Sequence, residues 1–156
     1  MNIYDVHIKN GEIIDGTGAP KFKSDIVIDK GKIIGVFPAE NGDVREPSEN
    51  HFLSNFKAKH TINAENKIIS PGFIDVHTHD DDNVFLDPSM SSKISQGVTT
   101  CVAGNCGISL APFSYKGEVP APIALLGKSE VFRFPRVSDY KEEFNNKPSS
   151  VNLALL

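Results

Sequence analysis

Apolar and polar residues alternate from Tyr4 to Lys9. Tyr4, Val6 and Ile8 fall on one face and Asp5, His7 and Lys9 on the other, a period of two that predicts a half-buried strand. Asn10-Gly11 then has the composition of a tight hairpin turn, so Glu12 to Asp15 is expected to return antiparallel. Asp15-Gly16-Thr17-Gly18 and Pro20 interrupt regular structure. A second hairpin is expected from Asp25 to Asp29 and Lys32 to Val36, joined by Lys30-Gly31. Short strands with regular turns indicate a small sheet or sandwich.

Pro38 to His60 is polar, with few apolar anchors, and reads as a surface insertion. Thr61 to Asn63 adds one short strand. The pattern changes near Lys67, which suggests a first domain over 1–67 and a second over 68–156. Phe73 to Val76 is a short apolar run bounded by turn residues, as expected of a strand buried on both faces. Asp87-Pro88 resembles an N-cap followed by proline, predicting a helix from Pro88 to Gln96 that Gly97 stops. Val98 to Ala103 is rich in β-branched residues and is the next strand. Strand, helix, strand is the unit of a parallel sheet, so the fold class is α/β.

From Ala111 to Val137 the prolines predict a long loop. A helix capped by Ser138 follows, with Asp139, Glu142 and Glu143 in its early turns, ended by Asn145-Asn146 and Pro148. Val151 to Leu156 is a third apolar strand. A buried parallel strand requires neighbours and a covering helix, so the pattern reads as an architecture cut part-way.

Composition narrows the class. At 156 residues, 39% hydrophobic and 23% charged, the chain can bury a core. A net charge of −4 gives no reason to expect nucleic acid or an anionic membrane as partner. There is no signal-peptide pattern at the start and no apolar run of membrane-spanning length, which makes a cytoplasmic location the expectation.

The candidate chemistry lies at strand ends. His77 and His79 are two apart, so both imidazoles can point the same way from the end of the Phe73 to Val76 strand. Imidazole is a good ligand for zinc and similar metals. Cys106, in Gly104-Asn105-Cys106-Gly107, lies just past the following strand. In a parallel unit both C-terminal ends share one side, so the thiol can join the two histidines. A thiolate can bridge two metal ions. Asp80 is placed to orient a histidine or a substrate; Asp81 and Asp82 read as a solvated acidic loop; Cys101 reads as a buried free thiol.

Taken together, Asn10 to Gly18, Asp25-Ile26-Val27-Ile28, Pro71 to His79 and Gln96 to Thr100 resemble the opening of the amidohydrolases. His77-Thr78-His79-Asp80 with Gly104-Asn105-Cys106-Gly107 is similar to the N-acyl-D-amino-acid deacylases, or D-aminoacylases. The resemblance implies a (β/α)8 TIM barrel preceded by a small β-sandwich, both incomplete over these residues. It implies zinc-dependent hydrolysis of N-acyl-D-amino acids, small-molecule substrates, to a carboxylate and a D-amino acid. It makes Cys106 a ligand of a tight zinc, shared with a weaker position held by His77 and His79. It also places the other zinc histidines and the catalytic aspartate on later strands, beyond residue 156. The rival readings are a dihydroorotase- or hydantoinase-like cyclic amide hydrolase, which generally uses a modified lysine where Cys106 would bridge, and a non-catalytic binding or assembly module.

Overall fold

The structure, a computed structural model, describes residues 2–38 and 56–156. Its contacts divide the chain into one unit over Met1–Pro71 and another over Gly72–Leu156.

The first unit is a mixed sheet built on β1 (Asn2–Ile13). β2 (Phe22–Asp29) pairs with it antiparallel, while β4 (Phe56–Asn63) and β5 (Ile68–Ile69) pair with it in parallel. β3 (Lys32–Pro38) lies outside β2. The expected hairpin turn at Asn10-Gly11 is not there: one strand runs straight through it. Ile8 partners Ile26 while Gly11 partners Ser24, so β1 carries one residue more than β2 at this point, a β-bulge. Asn10 adopts φ 64°, and its N–H donates to Asp25 Oδ1 at 2.9 Å. The tolerance of left-handed backbone that suits Asn-Gly to a turn also suits it to a bulge. Gly11 has a further constraint, because a Cβ there would lie 2.2 Å from Ile69.

The second hairpin forms as expected. Lys30 and Gly31, with φ of 50° and 73°, make a turn with both central residues left-handed, which matches the strand twist. Asp5 Oδ2 accepts from the Lys30 N–H at 2.7 Å and Oδ1 from Lys59 Nζ at 2.6 Å. Of the polar insertion, 39–55 lies outside the described residues. Phe56 to His60, however, is strand and not insertion. Backbone pairing with β1 supplies its hydrogen bonds despite mostly exposed side chains, and the Phe56 ring packs on Tyr4 and His7. Ile13, Ile26, Val27 and Ala64 are the buried apolar residues here. Among the described residues this unit is one sheet, without the second sheet of a sandwich.

The second unit is α/β. Its parallel sheet has the order β10-β7-β6, with β7 (Val98–Ala103) central, β6 (Phe73–Asp75) on one side and β10 (Asn152–Leu155) on the other. No barrel closes among the described residues. β6 is an edge of this sheet and is not buried as expected: Phe73 and Ile74 are each 60% exposed. The helix expected over Pro88 to Gln96 is also corrected. A short turn of helix, α1 (Asn83–Leu86), precedes it and ends at Asp87, and α2 (Ser91–Ile94) starts only after Met90 at φ 44°. Two interactions outweigh the Asp-Pro signal: the Met90 side chain is fully buried, and the Pro88 carbonyl accepts from the Ser150 N–H at 2.8 Å. Gly97, at φ 79°, ends the segment as expected.

The segment from Ala111 to Val137 is more ordered than a loop. β8 (Phe113–Ser114) and β9 (Arg133–Phe134) form an antiparallel pair. Leu126, Phe132 and Phe134 enter the core with Met90, Cys101, Leu110, Tyr140 and Val151. Each large apolar side chain so buried contributes about 1.5–3 kcal/mol. α3 (Val137–Asn146) is preceded by Arg136 at the N-cap, not Ser138. The Asp139 carboxylate explains the shift: it accepts from the Arg136 N–H at 3.1 Å and from its guanidinium at 2.6 Å.

Candidate metal centre

β6 ends at Asp75, and the next residues keep contact with β7: the Thr78 N–H donates to the Val102 carbonyl at 3.2 Å. Thr78 is buried and the flanking His77 and His79 are not, as alternation along an extended chain requires. On the neighbouring strand, β7 ends at Ala103 and the chain turns sharply. Gly104, Cys106 and Gly107 all have positive φ, 81°, 60° and 68°. Asn105 is buried beneath this turn. Its amide donates to the Val102 carbonyl at 2.7 Å and to the Thr78 carbonyl at 3.4 Å, tying the two ligand-bearing segments together.

The structure brings His77, His79 and Cys106 to one place: one donor atom from each lies within 4.8 Å of the others. His77 Nε2 is 3.2 Å from Cys106 Sγ, and the two imidazoles are edge to face with centroids 5.8 Å apart. Zinc bonds of about 2.0–2.3 Å in a tetrahedron put ligand atoms roughly 3.5 Å apart, close to the histidine–thiol separation. His79 Nδ1 is buried without a hydrogen-bond partner. Two imidazoles and a thiol, one of whose nitrogens has no partner, fit a zinc-class cation well. Cys101 stays a buried free thiol, and burial pushes its pKa up.

The acidic run departs from expectation. Asp81 and Asp82 are 0% and 6% exposed, not solvated. Asp81 Oδ1 accepts from the Gly104 N–H at 3.2 Å, and its carbonyl accepts from the Tyr140 hydroxyl at 2.6 Å. Asp82 supplies the carbonyl that opens α1, accepting from Phe85 and Leu86. Burial raises the pKa of both carboxyls. Asp80 behaves otherwise. Burial works against its charge, but hydrogen bonds from Thr78 and Lys93 outweigh that and hold its pKa below the usual value. It lies outside the three-residue cluster.

Lys93, on α2, is a polar centre of this region. Its Nζ lies 2.6 Å from Asp75 and 2.9 Å from Asp80. Burial disfavours its charge, yet the bonds to the two carboxylates prevail and its pKa lies above the ordinary value. Neither Lys93 nor Asn105 stands out by spacing, since their partners lie on other segments.

The family model described as "Amidohydrolase family" matches residues 60–146, more than half of the chain. The chain belongs to the amidohydrolase family. Within it, the sequence matches an N-terminal portion of the D-aminoacylases, also called N-acyl-D-amino-acid deacylases. It is 37% identical over 153 residues to the D-aminoacylase of Alcaligenes xylosoxydans xylosoxydans, covering 98% of this chain and 28% of that protein. The N-acyl-D-aspartate deacylase of the same organism is 38% identical over 149 residues, 96% of this chain and 27% of the relative. Among solved structures, a D-aminoacylase superposes with a TM-score of 0.83 at 41% identity, over 98% of this chain and 29% of that one. The N-acyl-D-glutamate deacylase from Bordetella bronchiseptica, complexed with zinc and a phosphonate mimic of the tetrahedral intermediate, gives 0.83 at 37%, over 99% and 29%. An L-hydantoinase from Arthrobacter aurescens shares the fold, with a TM-score of 0.56 at 22% identity, over 97% of this chain and 27% of that one. The chain thus spans a little over a quarter of the length of each of these five proteins.

Proposed function

We propose that this chain is the metal-binding N-terminal part of a zinc-dependent hydrolase that cleaves the amide of N-acyl-D-amino acids, yielding a carboxylate and a D-amino acid. The observation that carries the reading is the meeting of His77, His79 and Cys106 at the C-terminal ends of adjacent parallel strands. That is the side of a (β/α)8 barrel on which chemistry is built. Here β6, β7 and β10 are its first three strands, and the mixed sheet of the first unit belongs to the accompanying sandwich.

A zinc ion held by these residues would supply Lewis-acid activation of an amide carbonyl and of water at neutral pH. The chain's own residues prepare the place for it. Cys106, exposed on its left-handed turn, would hold the metal through its thiolate. His77 and His79 would supply a second, weaker metal position beside it. Asn105 keeps the two segments in step, and the substrate is a small N-acyl amino acid.

Two measurements on the whole protein test this. Amine release from N-acetyl-D-amino acids, compared with their L-enantiomers and with cyclic hydantoins, should favour the linear D-substrates and require zinc. Turnover of the hydantoins alone would establish the cyclic amide hydrolase instead, and no turnover with any of them would favour a binding module. Metal analysis after dialysis should show that Cys106→Ala loses more zinc than His77→Ala or His79→Ala. Full zinc in Cys106→Ala, with loss in the two histidine variants, would make Cys106 a packing residue.

A further inference from the structure

We infer that Lys93 is a positioning residue for the two histidines: a three-pronged ammonium clamp that fixes the backbone on either side of His77 and His79. The inference rests on the reading of these residues as metal ligands. An ammonium has three donors, and Lys93 Nζ has three acceptors. They are Asp75 Oδ2 at 2.6 Å, Asp80 Oδ2 at 2.9 Å and Thr78 Oγ1 at 3.3 Å. All three lie on the stretch Asp75 to Asp80, so they bracket the ligands closely. Asp75 is two residues before His77, Thr78 sits between the histidines, and Asp80 follows His79 directly.

The clamp is closed by bonds within the stretch. The His77 N–H donates to Asp75 Oδ1 at 3.3 Å, so that carboxylate holds the ligand's backbone with one oxygen and Lys93 with the other. Asp80 Oδ2 also accepts from the Thr78 hydroxyl, and Oδ1 from the Asn83 amide at 3.3 Å. The group is largely withdrawn from water, with the Lys93, Asp75 and Asp80 side chains 20%, 28% and 17% exposed. An exposed lysine–carboxylate pair contributes little. A partly buried cation shared by three acceptors on one short stretch instead restricts that stretch. His77 and His79 leave a strand of only three residues, so little ladder remains to orient them. Outer partners of this kind are how ligand geometry is generally held.

The test is a cobalt(II) titration of the full chain, read by absorption, on wild type, Lys93→Met, Lys93→Arg and Asp80→Asn. Thermal unfolding monitors the fold of each. In wild type we expect a thiolate-to-cobalt charge-transfer band and visible ligand-field bands. In Lys93→Met cobalt should bind at least tenfold more weakly. Its ligand-field bands should weaken or shift while the charge-transfer band persists, since Cys106 is held by β7 and Asn105. Lys93→Arg, which keeps charge and several donors, should recover part of the loss. Should Lys93→Met fail to fold, Asp80→Asn carries the test, because it keeps the side-chain shape and removes the negative charge that pairs with Lys93; it should show the same spectral change in smaller degree. Unaltered affinity and ligand-field bands in the folded variants overturn the clamp. Absence of any cobalt band in wild type overturns the metal reading itself, and the clamp with it.

Discussion

Asp82 shows what a single residue in this chain responds to. It is 6% exposed, and burial lifts its pKa from the ordinary 3.8, partly countered by Arg133. A carboxyl with a raised folded pKa binds its proton more readily in the native state. Its contribution therefore weakens as pH rises from 3.8 through the raised value and is level beyond it. Asp82→Asn removes that dependence. Its melting temperature relative to wild type should climb across this window and then hold constant, as scanning calorimetry from pH 3 to 7 would show; a flat difference would mean that Asp82 titrates as an exposed group. Gly104 is the opposite case, constrained by backbone. It has φ +81°, and a Cβ would sit 3.0 Å from the Leu156 carbonyl oxygen. Gly104→Ala should destabilise by about 1–3 kcal/mol in denaturant unfolding and, by displacing the turn, weaken cobalt binding at Cys106. At this scale the sequence exposes part of the site. The two-residue spacing of His77 and His79 and the place of Cys106 past a strand are readable because both follow from backbone periodicity. The burial of Asp81 and Asp82 is not, since their neighbours lie far along the chain: Gly104 and Tyr140 bond Asp81, and Arg133 lies near Asp82.

Among elements, Val98–Ala103 is legible from its β-branched run because it is the central strand and its neighbours impose what its composition favours. The segment after Asp87 is less so: capping chemistry proposes a helix from Pro88, but burial of Met90 and the Ser150–Pro88 bond delay it. The Phe56 to His60 part of β4 is hidden for another reason, since pairing with β1 asks for no particular side chains. The Lys30-Gly31 turn is read correctly and offers a test. Lys30 sits at φ 50°, where asparagine is better suited. Lys30→Asn keeps the N–H bonded to Asp5 and should raise stability by about 0.5–1 kcal/mol, measured by thermal unfolding. Equal stability would show that the turn does not limit this sheet.

At the scale of the molecule, exposed apolar side chains set the behaviour in solution. Phe73, Ile74 and Val76 are 60%, 60% and 69% exposed beside an edge strand, and unpaired edges of this kind promote association. The 156-residue chain should elute from size-exclusion as associated species, and Phe73→Ser with Ile74→Thr should shift it toward monomer. A sharp monomer peak from the unaltered chain would refute this. Because its relatives are over three times longer, the chain by itself should release no amine from N-acetyl-D-amino acids above a His77→Ala control. The α/β character and the family are visible in the sequence; neither a barrel nor a sandwich closes among the described residues.

The bulge at Asn10 bears on how this fold tolerates changes of length. The partly buried apolar residues of β1 are even-numbered up to Ile8, while those after the bulge, Gly11 and Ile13, are odd-numbered. The extra residue is absorbed where it occurs, and the inward set changes phase without turning outward. Elsewhere in a strand, a single insertion reverses every side chain that follows. Asn10 is thus the place where β1 can lose a residue and keep Ile13 facing in. Related chains that differ by one residue in this strand are expected to differ here.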